Sequence, residues 1–114
     1  MTRSIIPPYW GYERAEARYS LARIKAAFAD AARLNRTLSA AEGAEELGMD
    51  EQAVVDVIAS LTAEDFEKSM PSDRDPAIRQ DVYKPVVDGR ELYVKFTLDA
   101  QGGLLLISFK ENEP

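Results

Sequence analysis

An Asp88-Gly89 dipeptide near the C-terminal end constrains the fold of this chain more than any other feature. It separates two runs of alternating apolar and polar residues, which is the pattern of β-strands. A two-residue type I′ turn needs positive φ at both central positions, and Asp and Gly tolerate that conformation. The dipeptide therefore predicts a β-hairpin, and the turn fixes its register. The opposite pairs are Val87 with Arg90, Lys84 with Tyr93, and Gln80 with Thr97.

A second turn is predicted at residues 100–103, which include Gly102 and Gly103. Closing it with Asp99 opposite Leu104 adds a third antiparallel strand, so residues 78–110 form one sheet. The pairs in this second hairpin are Phe96 with Ile107, Val94 with Phe109, and Tyr93 with Lys110.

This register gives the sheet an apolar and a polar face, because side chains alternate along a strand. The apolar face collects Leu92, Val94, Phe96, Leu98, Leu105, Ile107 and Phe109. The polar face collects Gln80, Lys84, Tyr93, Lys95, Thr97, Ser108 and Lys110. Two interpretations of the polar face stay open. A solvated surface is usual for an antiparallel sheet, whereas amines, a phenol and an amide on one surface can also bind an anion such as a phosphodiester.

Helical patterns fill the chain before the sheet. Apolar residues at helical spacing predict a helix over residues 13–33. A capping box that starts at Ser39 predicts a short helix over 40–47, and Asp50 is a suitable cap for a helix over 51–61.

At 114 residues, the chain is predicted to form a single α+β domain with N-terminal helices packed on a C-terminal antiparallel sheet. Consecutive prolines indicate an extended arm over residues 1–11. The helical part is expected to cover residues 12–70, since another capping signature begins at Thr62, and the sheet is expected to cover residues 78–110.

The composition excludes several kinds of active site. The chain has no histidine and no cysteine, which rules out Ser-His-Asp and Cys-His catalysis and leaves no thiolate or imidazole ligand for a metal. No run of about 18 apolar residues predicts a membrane helix, and the N-terminus lacks the apolar region of a signal peptide. A cytoplasmic location is therefore expected, with no membrane partner.

The helix pair over 40–61 has the spacing of a helix-turn-helix, with Gly48 at the turn. A DNA-binding helix needs cations that neutralise phosphates, but no lysine or arginine lies between residues 37 and 67, and the net charge of the chain is −6. We therefore interpret the pair as a helical hairpin that covers the sheet.

Four strings in the second half of the chain resemble the MqsR family of toxins. They are LTAEDFEKSM at 61–70, IRQDVYKP at 78–85, ELYVKFT at 91–97 and LLISFK at 105–110. The resemblance implies a RelE-like fold and cleavage of mRNA without a metal or other cofactor, with a preference for sites that contain GC. It also implies a cognate antitoxin, usually with a zinc-binding domain and a helix-turn-helix domain, through which the toxin would reach DNA only indirectly.

The resemblance also implies a set of site residues. Those matching the active site of the family are Lys68, Gln80, Tyr93 and Lys110. Met70 also matches a family position near the site. Beyond the resemblance, Arg79, Lys84 and Lys95 are expected to bind substrate because of their positive charge. Without histidine, Tyr93 or a lysine must transfer protons, while Lys68 and Lys110 are expected to stabilise the charge of the transition state.

Several features depart from the family pattern, among them Arg79 in place of an aromatic residue and a longer N-terminal arm. Two others bear on activity. Glu67 puts an anion beside Lys68, and the chain is acidic where these toxins are typically basic. They favour an alternative function, in which a degenerate toxin no longer cleaves RNA and serves only to bind an antitoxin or another protein.

Overall fold

The computed structural model describes residues 16–113. Its helices are α1 (Leu21–Ala27), α2 (Leu38–Glu46) and α3 (Glu51–Ala59), and its strands are β1 (Phe66–Pro71), β2 (Arg79–Tyr83), β3 (Val86–Val87), β4 (Arg90–Leu98) and β5 (Leu104–Glu111). Single 3₁₀ turns lie at Ala31–Arg33 and Ala63–Asp65. The helices pack against an antiparallel sheet, which confirms the predicted α+β class and is consistent with a RelE-like fold. None of these helices is long and apolar enough to cross a membrane.

Strand β4 is the centre of the sheet. Strands β2 and β3 both pair with the same edge of β4, one after the other and in a single register, and β5 pairs with the other edge of β4. Strand β1 pairs with the outer edge of β2, so the strands run across the sheet in the order β1, β2, β4, β5.

The first predicted hairpin is confirmed. Asp88 and Gly89 have φ values of 52° and 80°, as a type I′ turn requires. Val87 pairs with Arg90, and the same register continues through the pair of Tyr83 with Val94.

The second hairpin contains a β-bulge that the sequence analysis did not predict. Tyr93 pairs with Lys110 as expected, but the register shifts between Lys95 and Phe96, so that Phe96 faces Leu106 instead of Ile107. Because a shift of one residue exchanges the two faces of a strand, Leu104 and Leu106 are buried while Leu105 and Ile107 are only partly buried. The predicted place of Leu105 and Ile107 in the core was therefore wrong.

The predicted helix over 13–33 is much shorter in the structure. Helix α1 begins after Ser20, whose hydroxyl accepts a hydrogen bond from the N–H of Arg23. The chain before it is bent at Arg18 and Tyr19 and not helical, and the backbone N–H groups of these two residues both donate to a carboxylate oxygen of Asp81, each over 2.8 Å. Residues 13–15 and the predicted arm over 1–11 lie outside the described residues.

The other helices follow their predicted caps more closely. Asp50 caps α3 as expected. Helix α2 starts earlier than predicted, because Thr37, not Ser39, accepts the capping hydrogen bond from Ala40. The helical part was predicted to continue to residue 70, which was wrong: it ends at the 3₁₀ turn, and Phe66–Pro71 form a strand.

The core lies between the helices and the face of the sheet that carries Leu92, Val94 and Phe96. Its aromatic centre is Phe96, whose ring lies 5.4 Å from that of Phe28 and 6.0 Å from that of Tyr83 between centroids. Aromatic rings in such tilted contacts stabilise a core beyond the apolar area they bury.

Tyr83 couples the stability of this core to alkaline pH. Burial raises the pKa of Tyr83 to about 12, and the carboxylates Asp81 and Asp65 act in the same direction, whereas a tyrosine in an unfolded chain titrates near 10. The folded protein therefore holds this proton more tightly. The resulting stabilisation is complete below about pH 10 and is lost as the pH rises through about 12.

We expect this loss to be on the order of 3 kcal/mol in the free energy of unfolding. Urea denaturation of the protein and of Tyr83→Phe at a series of alkaline pH values measures it. The stability of the variant should fall less steeply above pH 10 than that of the parent protein, and equal slopes would contradict the prediction.

Candidate active site

The second face of the sheet, on the side away from the core, carries the predicted site. Alternation along the paired strands assigns to it Lys68 and Met70 of β1, Gln80 and Val82 of β2, Tyr93, Lys95 and Thr97 of β4, and Ser108 and Lys110 of β5. From here on, the name polar face refers to this set. It adds Lys68, Met70 and Val82 to the face predicted from the sequence and leaves out Lys84. It unites all four residues that the sequence analysis proposed as catalytic.

The register arranges these residues in rows across the sheet. One row runs from Lys68 through Val82 and Lys95 to Ser108. Neighbouring strands are about 4.8 Å apart, so the backbones at Lys68 and Lys95 are about 10 Å apart, a distance that two lysine side chains leaning towards each other can bridge. The row on one side of it contains the pair of Tyr93 and Lys110. The row on its other side contains the pair of Met70 and Gln80.

Tyr93 lies next to two lysine side chains. The Nζ atoms of Lys95 and Lys110 each lie 5.6 Å from the centroid of its ring. At this distance a cation is attracted to the negative face of an aromatic ring. The arrangement fixes a phenol and two amines in one small region of the polar face.

Lys95 is the most buried of these amines. Burial lowers the pKa of Lys95, and the carboxylate of Asp73 opposes this effect, while repulsion by Lys110 and Lys68 adds to it. Lys95 therefore loses its proton more readily than an ordinary lysine does, and the neutral amine forms more easily at this position.

A groove beside Tyr93 and Lys110 extends the polar face towards α2. It has a volume of about 500 Å³. Its walls come from β4, β5 and α2, which contributes Gly43 and Glu46, and from Leu47 directly after α2. The groove connects the edge of the sheet with the cluster around Tyr93, and its lining carries the carboxylates of Glu46, Glu111 and Glu113 as well as the guanidinium of Arg90.

Two predicted substrate-binding residues are placed differently from the rest. Arg79 precedes Gln80 and therefore points to the opposite face, where it is buried and its guanidinium donates to the carbonyl of Ser69 over 2.8 Å. The expectation that Arg79 binds substrate beside Gln80 is corrected by this placement. Lys84 lies at the margin of the polar face, 3.8 Å from the carboxylate of Glu67, which partly offsets its charge.

Two residues next to the cluster were not among the predicted site residues, although the sequence analysis placed Ser108 on the polar face. Ser108 is the direct partner of Lys95 on β5. Gly43 brings α2 against the backbone of β5, since a Cβ atom built on it would overlap the carbonyl of Phe109 and lie 3.3 Å from the Cβ of Lys110. A glycine within a predicted helix was the signal available for this close approach.

No group of three or more acidic side chains suitable for a metal ion occurs within residues 16–113. What the polar face offers instead is positive charge, a phenol and an amide. Such a surface can bind a phosphodiester, stabilise additional negative charge on it and exchange protons with its oxygens.

Comparison with known proteins agrees with this chemistry. A model of the family described as the motility quorum-sensing regulator, toxin of MqsA, matches residues 16–111. The mRNA interferase toxin MqsR of Escherichia coli (strain K12) is 39% identical to this chain over 82 residues, which are 72% of this chain and 82% of that protein. The family match includes every residue of the polar face. The chain therefore belongs to the MqsR family of toxins.

Proposed function

We propose that this protein is the toxin of a type II toxin–antitoxin system and acts as an endoribonuclease that cleaves mRNA. The observation that carries the proposal is the convergence of Lys68, Gln80, Tyr93 and Lys110 on one face of the sheet. This set supplies the charges and exchangeable protons that cleavage of RNA needs, and cleavage of mRNA would halt translation and growth.

RNA carries its own nucleophile, the 2′-hydroxyl group. In the proposed reaction this oxygen attacks the adjacent phosphorus, the bond from phosphorus to the 5′-oxygen breaks, and a 2′,3′-cyclic phosphate and a 5′-hydroxyl are formed. The protein must remove one proton, donate another and stabilise the negative charge that develops on the phosphate. No metal ion is needed for these tasks when amines and a phenol surround the phosphate.

The residues divide these tasks by their chemistry. Tyr93 takes part in proton transfer, and Lys68 and Lys110 stabilise the charge on the phosphate from two sides. Gln80 orients the phosphate or a base through its amide. Met70, Lys84 and Lys95 contact the RNA around the reacting group, and the proposal includes a preference for sites that contain GC.

A cognate antitoxin is the second expected partner. The match to a family described as the toxin of MqsA supports this part of the proposal. We propose an antitoxin with a zinc-binding domain that binds the toxin and a helix-turn-helix domain that binds DNA, and a cytoplasmic location for the complex.

Two observations favour a second candidate function. The ion pair between Lys84 and Glu67 and the net charge of −6 reduce the attraction of this protein for RNA. A toxin fold that binds its antitoxin but no longer cleaves RNA would have the same family match.

An RNA cleavage assay with EDTA present separates the two functions. We expect the purified protein to cut a single-stranded RNA that contains GC, to leave a 5′-hydroxyl on the product, and to spare the same oligonucleotide with a 2′-deoxynucleotide before the scissile bond. Expression of the protein should also arrest growth. A protein that cuts no RNA and arrests no growth would fit the second function, and cleavage abolished by EDTA would contradict the metal-independent reaction.

A further inference from the structure

Lys95 lies at the centre of the polar face. Its direct partners on the neighbouring strands are Val82 and Ser108, and both side chains are too short to cover its amine. Long side chains surround it at the diagonal positions, which lie about 7–8 Å away and within reach of such residues. The diagonal neighbours on β2 and β5 include Gln80 and Lys110.

The charged and titratable groups that face Lys95 come from all sides. They are Lys68 on β1, Asp73 in the loop after β1, Tyr93 on the same strand and Lys110 on β5, and the groove that Lys95 lines also carries Glu46, Arg90, Glu111 and Glu113. Both lysines repel the charged form of Lys95, and burial disfavours that form further. Lys110, in contrast, is exposed, so water can hydrate its ammonium group.

We propose that Lys95 is the general base that removes the proton of the 2′-hydroxyl, and that Tyr93 is the acid that protonates the leaving 5′-oxygen. This inference rests on the proposed cleavage of RNA and assigns the two proton transfers of that reaction. It leaves Lys68 and Lys110 as the cations that stabilise the phosphate.

The step balances with these two groups alone. The neutral amine of Lys95 takes the proton as the 2′-oxygen bonds to phosphorus, and the phenol of Tyr93 gives its proton as the bond to the 5′-oxygen breaks. The site is left with an ammonium on Lys95 and a phenolate on Tyr93. The Nζ of Lys95 lies 5.6 Å from the centroid of the Tyr93 ring, so the proton returns from amine to phenolate through water once the products leave, which restores the starting state.

Substitution by arginine distinguishes a base from a cation that only holds the RNA. Arginine keeps the positive charge but does not release its proton in this pH range. We expect Lys95→Arg to lower kcat/KM for an RNA that the parent protein cleaves by roughly 10²–10⁴-fold, about as much as Lys95→Met, since general base catalysis contributes a factor of this size. Thermal denaturation of both variants checks that they are folded.

A chemical rescue tests the proton transfer itself. The chain has no cysteine, so Lys95→Cys introduces a single thiol, and alkylation with 2-bromoethylamine converts it to a lysine analogue with sulfur in the side chain. The sulfur lowers the pKa of the amine. We expect alkylation to restore cleavage and to move the acidic limb of the pH profile of kcat/KM to lower pH than in the parent protein. Lys25→Cys on α1, treated in the same way, should keep the parent profile.

The outcomes separate this inference from the proposed function. If the parent protein cleaves RNA and Lys95→Arg stays within about threefold of it, Lys95 is a binding cation and the inference is overturned. Rescue with an unmoved pH profile overturns it as well. If the parent protein cleaves no RNA, the proposed function itself is wrong.

Discussion

Lys110→Ala is expected to lower kcat for RNA cleavage by roughly 10²–10³-fold and to abolish growth arrest, because loss of one contact that stabilises transition-state charge has an effect of this size. The side chain lies on the polar face with its Nζ 5.6 Å from the centroid of the Tyr93 ring. It is exposed and contributes little to the core, so the variant should remain folded. Tyr93→Phe should give a loss of similar size, since it keeps the ring but removes the proton that the reaction exchanges.

Cleavage rates of a labelled RNA and growth curves after induction measure both effects. Lys25→Ala is the matched control, because this lysine lies in the last turn of α1, away from the polar face. It should cleave RNA and arrest growth like the parent protein. The prediction fails if Lys110→Ala melts at the parent temperature and still cleaves RNA at a comparable rate.

Gly43→Ala is expected to destabilise the fold even though alanine is the better helix former. In an exposed helix, alanine would stabilise the protein by about 1 kcal/mol relative to glycine. Here its Cβ would overlap the backbone carbonyl of Phe109, which cannot rotate away as a flexible side chain would. Helix α2 must then move off β5, and overpacking of this kind costs about 1–3 kcal/mol.

The same displacement should affect the site, because the Cβ of Lys110 lies 3.3 Å from the position that the new methyl group would occupy. We therefore expect a lower melting temperature together with slower RNA cleavage. Ser39→Ala is the matched control on the same helix, since Ser39 is exposed, and it should keep or raise the melting temperature. An unchanged or higher melting temperature of Gly43→Ala would show that α2 does not need this close approach.

Much of the site could be predicted because one local turn sets a long register. The Asp88-Gly89 turn fixes which residues face each other on β2, β3 and β4, and this register agrees with the structure from Val87 to Asp81. Alternation then unites Gln80 and Tyr93 on one face. These relations depend on backbone conformation within a short stretch, which the residue types of the turn determine.

Other features depend on contacts between distant parts of the chain. The bulge after Lys95 has no turn signal of its own and shifts which leucines of β5 enter the core. Arg79 was expected among the binding residues for its charge, but its position next to Gln80 on a strand buries it on the other face. The late start of α1 likewise follows from hydrogen bonds to Asp81, a residue more than sixty positions away.

The sequence by itself determined the α+β class, the first hairpin and the pair of Tyr93 with Lys110, because the turn residues and the alternation of apolar and polar side chains act locally. Only the tertiary structure decided that Phe66–Pro71 join the sheet as its outer strand, which brings Lys68 to the same face as Tyr93. It also decided that Lys95 is half-buried among other cations. Both depend on which strands and helices pack together, and that choice is made by the whole core rather than by any one segment.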